Sequence, residues 1–116
     1  MLIVKRFIDN IEAIREHPGL HVQPVTPEAL YNHLSSLTWG AMLSTDTLSF
    51  GDFTNARQEA NRACGWESRA CGPHIEMREK EIPDEKIIEN LLDVEIKMWQ
   101  ILDQWQRENL SSKEKV

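Results

Sequence analysis

No stretch of this chain approaches the ~18 consecutive apolar residues of a membrane span, and cysteine is scarce, with only Cys64 and Cys71 present. The first absence argues against a membrane-spanning helix. The second excludes a disulfide-dense scaffold. Glycine and proline number 5 each, too few for a collagen-like or low-complexity chain. The sequence contains no glycine-rich phosphate loop, no His-Glu-x-x-His motif and no Gly-x-Ser-x-Gly nucleophile elbow. Basic residues are the minority: 13 Lys+Arg against 19 Asp+Glu give a formal charge of −6. An acidic balance opposes nonspecific nucleic-acid binding, so nucleic acid is an unlikely partner. At the start, Met1-Leu2-Ile3-Val4 precedes Lys5-Arg6, the reverse of a secretory signal, which carries charge first and a longer apolar core after it. The expectation is a cytoplasmic protein with reduced thiols.

What is present describes an ordinary globular domain. Hydrophobic residues make up 41% and charged residues 28% of 116, enough apolar side chain for one core and too short a chain for two. Residues 1–110 are expected to form a single helical domain, and 111–116 a polar tail. Val4, Phe7, Ile11 and Ile14 recur at helical steps with Ile8 beside them, which predicts a first helix over Leu2–Glu16, with a strand over Leu2–Phe7 as the alternative, ended by His17-Pro18-Gly19. Thr26-Pro27-Glu28 is a helix start, with a capping hydroxyl, a proline pre-set for the first turn and an acid at the positive end of the dipole. That second helix is predicted from Pro27 to about Leu37, striped by Leu30, Leu34 and Leu37. Thr38–Asp52 is expected to be a loop with a helical turn, Asp52 capping a third helix over Phe53–Cys64 with Phe53, Ala56, Ala60 and Ala63/Cys64 on its inner face. Trp66–Ile82 is expected to be loop or short helix, with a strand over His74–Glu79 as the alternative.

The last helix is the clearest feature. From Pro83 or Asp84 to about Asn109 there is no glycine and no internal proline. Ile87, Leu91, Val94, Met98, Ile101 and Trp105 alternate steps of 4 and 3, an inner seam of heptad type. Ile88, Leu92, Trp99 and Leu102 form a second apolar line beside it, wider than a two-stranded coil covers. A homodimer through this C-terminal helix is one way to cover it. The fold class is therefore all-α: a small bundle of about four helices with a long C-terminal amphipathic helix. Glu95 falls within the second line, between Leu92 and Trp99, and is expected at its rim with a local partner, since burial without one is costly.

Three functional readings follow. The leading one is a small acidic protein that binds another protein, as an inhibitor, immunity-type or adaptor component, without a cofactor. Its expected contact residues are Trp99, Leu92, Ile88, Trp66 and Trp39, because tryptophan is enriched at binding hot spots and four are many for this length. The alternative is a Mg²⁺-dependent, all-α nucleotide pyrophosphohydrolase. Such enzymes use spaced acid pairs on two helices, and Glu76, Glu79, Glu89 and Asp93 are the candidate ligands here. Asn90 stands where the stricter spacing ending at Asp93 wants an acid. The third is a helix-turn-helix DNA-binding regulator over Phe53–Pro73, with Arg57, Arg62 and Arg69 near phosphate. Cys64, Cys71 and His74 supply three of the four ligands a structural zinc wants; one buried and one loop cysteine is the simpler reading.

Overall fold

The structure is a computed structural model that describes residues 3–67 and 72–114, with side chains described through Glu108. Six helices follow in order: α1 Val4–Glu16, α2 Pro18–His21, α3 Pro27–Leu43, α4 Phe50–Ala63, α5 Pro73–Glu79 and α6 Asp84–Glu114. No strand occurs among the described residues, so the fold is all-α, as the periodicity implied. The alternative strand at 74–79 is the helix α5. None of the helices is long and apolar enough to cross a membrane.

The long helix is the spine. Its 31 residues rise through about 46 Å, close to the 51 Å long dimension of the molecule. α1, α3, α4 and α5 all pack on it. Its inner seam is buried at Ile87, Leu91, Val94 and Met98 and half-buried at Ile101 and Trp105. The second line is covered too, within one chain: Leu92, Trp99 and Leu102 are buried. Trp99 stacks on Phe7 of α1, with centroids 4.3 Å apart and planes 15° apart, and meets Phe53 of α4 edge-on at 6.0 Å. Those two rings cover the face that the sequence left for a second copy.

The helix starts follow side-chain chemistry. At α3, Thr26 Oγ1 accepts from Ala29 N at 3.2 Å. At α4, the cap is Ser49 and not Asp52: Ser49 Oγ accepts from Asp52 N at 3.2 Å while Asp52 Oδ2 accepts from Ser49 N at 2.8 Å. This reciprocal box satisfies two otherwise orphaned donors and starts α4 three residues before the expected Phe53. α3 also outruns its predicted end, because its apolar spacing continues from Leu34 through half-buried Leu37 to buried Ala41. Its hydroxyls are satisfied inside the helix, Thr38 Oγ1 donating to Leu34 O at 3.1 Å and Ser36 Oγ to Asn32 O at 3.0 Å. Gly40 costs about 1 kcal/mol against alanine at such a position, too little to stop the helix there. α4 ends at Ala63 with Cys64 as its C-cap, followed by Gly65 at φ +89°. Its inner face is Phe53, Ala56 and Ala60, with Cys64 half-buried and Ala63 exposed. α6 continues past Asn109 to Glu114.

Candidate functional site

α6 places one acid among its apolar residues. Glu95 lies one turn before Trp99, and its side chain is 6% exposed, so it is inside the bundle and not at the rim. Its partner comes from α4. Arg57 Nη2 donates to Glu95 Oε2 at 2.7 Å and Oε1 at 2.9 Å. α3 supplies the third member: Thr38 Oγ1 accepts from Arg57 Nη2 at 2.8 Å and sits 3.4 Å from Glu95 Oε2. One residue from each of the three longest helices thus forms a charge-paired knot. Burial pushes the Glu95 carboxyl above its ordinary value, and Arg57 and Thr38 pull it back part of the way. The knot fixes the relative placement of α3, α4 and α6, because a charge taken out of water at this depth is stable only when paired.

Beside this knot, residues of α3 and α4, together with Gly72 and Pro73, line a cleft of about 620 Å³. The volume is within the range of small-molecule sites. Its walls are aromatic: Tyr31 and Trp39 from α3, Phe50 and Phe53 from α4. Trp39 and Phe50 form its lip, with ring centroids 5.9 Å apart and exposures of 56% and 61%. Leu43, one turn after Trp39, is 81% exposed. The polar lining includes Thr38, Arg57, Gln58 and Asn61. Next to Pro73, His74 is buried against Tyr31 at 4.8 Å. Burial lowers its pKa, opposed by Glu28. Gly72 has φ +96°, and a Cβ there would meet both the His74 and Tyr31 rings at 2.9 Å, so only glycine lets the chain pass.

The residues singled out from sequence are scattered by this fold. Trp99 and Leu92 are each 1% exposed and form core, which corrects their expected role as a contact face. Ile88 is half-buried on α6. Trp66 is half-buried and packs on the core, with Lys80 Nζ 5.4 Å from its ring. Trp39 alone of the five is exposed.

The carboxylate site is also corrected. Glu89 and Asp93 both accept from Arg15 of α1, Asp93 Oδ1 at 2.8 Å. Glu76 is buried and accepts from the Glu67 backbone N–H at 2.9 and 3.2 Å, which ties α5 to the preceding chain. Glu79 is exposed on α5. Among the described residues no group of three or more His, Cys, Asp or Glu side chains is placed to hold a metal ion. Cys64 is a free, half-buried thiol whose pKa is raised by burial and then by Asp93; Cys71 and Arg69 lie outside the described residues. The helix after the Gly65 turn is seven residues long with Pro73, His74, Glu76 and Met77 buried, so it presents no recognition face of the kind a helix-turn-helix needs.

Thr38 and Asn61 were not expected at a site, and Arg57 was expected only near phosphate in the DNA-binding reading. The signal was there for α4: Arg57 and Asn61 interrupt the stripe of Phe53 and Ala60 at helical spacing, as Glu95 interrupts that of α6. Comparison of the chain with protein-family models, curated proteins and solved structures finds no match.

Proposed function

We propose that this chain works by binding another protein, as an inhibitor, immunity-type or adaptor component, and that its contact site is the mouth of the α3–α4 cleft. The observation that carries the reading is the lip itself: two aromatic rings in contact, each more than half exposed, beside a leucine 81% exposed. Covering the exposed part of each ring contributes roughly 1–2 kcal/mol, and such rings are the usual anchors of interfaces. The partner is a protein presenting an apolar side chain within a basic surface. The formal charge of −6 opposes a second copy of the same chain and accelerates encounter with a cationic one. Among the described residues the cleft holds one charged side chain, Arg57, already paired with Glu95, which supports binding over acid–base chemistry at this place.

A comparative capture tests the reading. Wild-type protein and the double variant Trp39→Ser, Phe50→Ser are used as baits in parallel, after melts show the variant retains its fold. The expected result is a basic protein retained by the wild type, released by salt, and lost with the double variant. Identical retained sets for both baits would overturn the reading. Sedimentation of the pure protein covers the other occupant: a wild-type dimer abolished by the double variant would replace the foreign partner with a second copy.

A further inference from the structure

The floor of the α3–α4 cleft carries two polar groups that the fold leaves unpaired. Asn61 is 3% exposed, and its Oδ1 has no hydrogen-bond partner among the described residues. Arg57, one turn earlier on α4, commits Nη2 to Glu95 and Thr38 and leaves its Nε–H buried and unpaired. Both residues line the cleft. Buried polar groups are paired in the great majority of cases. Two unpaired groups on one helix face beside one cavity mark a place where a further molecule completes the set. Both atoms are buried while their residues line the cleft, and the outer torsion of asparagine is broad and soft, so rotation about it re-aims the Asn61 amide without moving the backbone.

The chemistry of the occupant follows from three constraints. Residues four apart on a helix have Cβ atoms about 5–6 Å apart. One planar amide bridges a donor and an acceptor at that interval, its carbonyl accepting from Arg57 and its N–H donating to Asn61. The walls are aromatic and favour a flat ring held by offset or edge contacts. The charge must be zero: among the described lining residues Arg57 is the one charged group, and Glu95 neutralises it. An anion entering would be desolvated against a pair that is already balanced.

We propose that the cleft binds a neutral, planar aromatic ligand carrying a carbonyl acceptor next to an N–H donor, with its ring between Tyr31, Trp39, Phe50 and Phe53 and its amide edge on Arg57 and Asn61. An exocyclic aromatic carboxamide and the ring amide of a nucleobase both present this chemistry. The proposal rests on the same cleft as the proposed protein contact, and the two fail separately. Loss of a captured partner with the lip variant, alongside absence of small-ligand binding, would keep the first and remove this one.

The test is a titration of the ¹⁵N-labelled full chain, following the Arg57 Nε–H and Asn61 side-chain amide signals. Four probes are compared: nicotinamide, uracil, nicotinate as the charged control and toluene as the apolar control. Nicotinamide or uracil is expected to shift both signals saturably, with nicotinate and toluene at least about tenfold weaker, because a site built on hydrogen bonds rejects analogues that leave them unpaired. The tighter of the two amides assigns the source. Asn61→Leu is expected to weaken the amide probe by about tenfold or more while leaving toluene unchanged. Should that variant fail to fold, the ranking of the four probes on the wild type decides alone. Equal affinity for toluene and nicotinamide, or no shift from either amide at about 20 mM, where a ligand of about eight or nine heavy atoms gaining only ~0.3 kcal/mol per atom is already more than half bound, would overturn the proposal.

Discussion

Replacing Arg57 by methionine keeps most of its aliphatic volume and removes the charge that Glu95 faces. The Glu95 side chain is 6% exposed, so water cannot substitute for the guanidinium. Of its contacts, the 2.7 and 2.9 Å bonds vanish and the 3.4 Å approach of Thr38 remains. Breaking a buried pair by removing one partner costs about 3–5 kcal/mol. For 116 residues the unfolding entropy makes each kcal/mol about 4 °C in Tm, so Arg57→Met is expected to melt roughly 12–20 °C lower at pH 7. Acidification should return part of the loss. The folded carboxyl already lies above its ordinary value of 4.5 because of burial, and without Arg57 it rises further. A raised folded pKa means that stability falls as pH rises through the interval above 4.5 and recovers as pH falls back through it. The double variant Arg57→Met, Glu95→Leu removes both charges and is expected to melt at or above the wild type. Circular-dichroism melts of the three proteins at pH 5 and 7 decide the matter. An Arg57→Met variant within about 4 °C of the wild type at pH 7, less than the cost of one ordinary buried contact, would refute the paired, buried knot.

Three further predictions concern the walls around it. Trp99→Ala is expected to cost about 3–5 kcal/mol in denaturant unfolding, whereas Trp39→Ala should stay within about 0.5 kcal/mol; the reverse order would exchange core and surface. His74 is held below its ordinary value of 6.5 by burial, so its contribution to stability is complete above 6.5 and is lost as pH falls from there through the folded value. His74→Leu should flatten that part of the Tm–pH curve, and an unchanged slope would assign it to another group. Gly72→Ala is expected to destabilise by at least about 1–2 kcal/mol from the left-handed backbone alone, before any clash with the His74 and Tyr31 rings, and a neutral result in chemical denaturation would contradict the tight passage at Gly72.

Much of the fold was legible because it depends on local pattern. The stripe of α1, the Thr26-Pro27 start of α3 and the heptad spacing of α6 are properties of consecutive residues. The end of α3 and the start of α4 were not, since they depend on hydroxyls folding back onto their own helix and on a cap shared between Ser49 and Asp52. The second apolar line of α6 was seen but assigned to a partner, because only the fold brings Phe7 and Phe53 onto Trp99. The same limit governs the site. Glu95 stood out within its stripe, but its partner is 38 residues away on α4, and nothing in the spacing selects Arg57 over Arg62. Acids that shared a helix face, Glu89 and Asp93, were drawn off by Arg15 across the bundle. Spacing shows what shares a face, and the packing of helices decides what that face meets.

The proposed meeting place of this protein and its partner is the mouth of the α3–α4 cleft. The most direct measurement places the photo-crosslinking residue p-benzoylphenylalanine at position 50 in one protein and at position 12, an exposed site on α1, in another. Both proteins are irradiated in cells of the native source. A discrete adduct is expected from position 50 that disappears when Trp39 is also changed to serine, and none of the same mass from position 12. Adducts of equal yield and mass from both positions, or an adduct from position 12 alone, would contradict it.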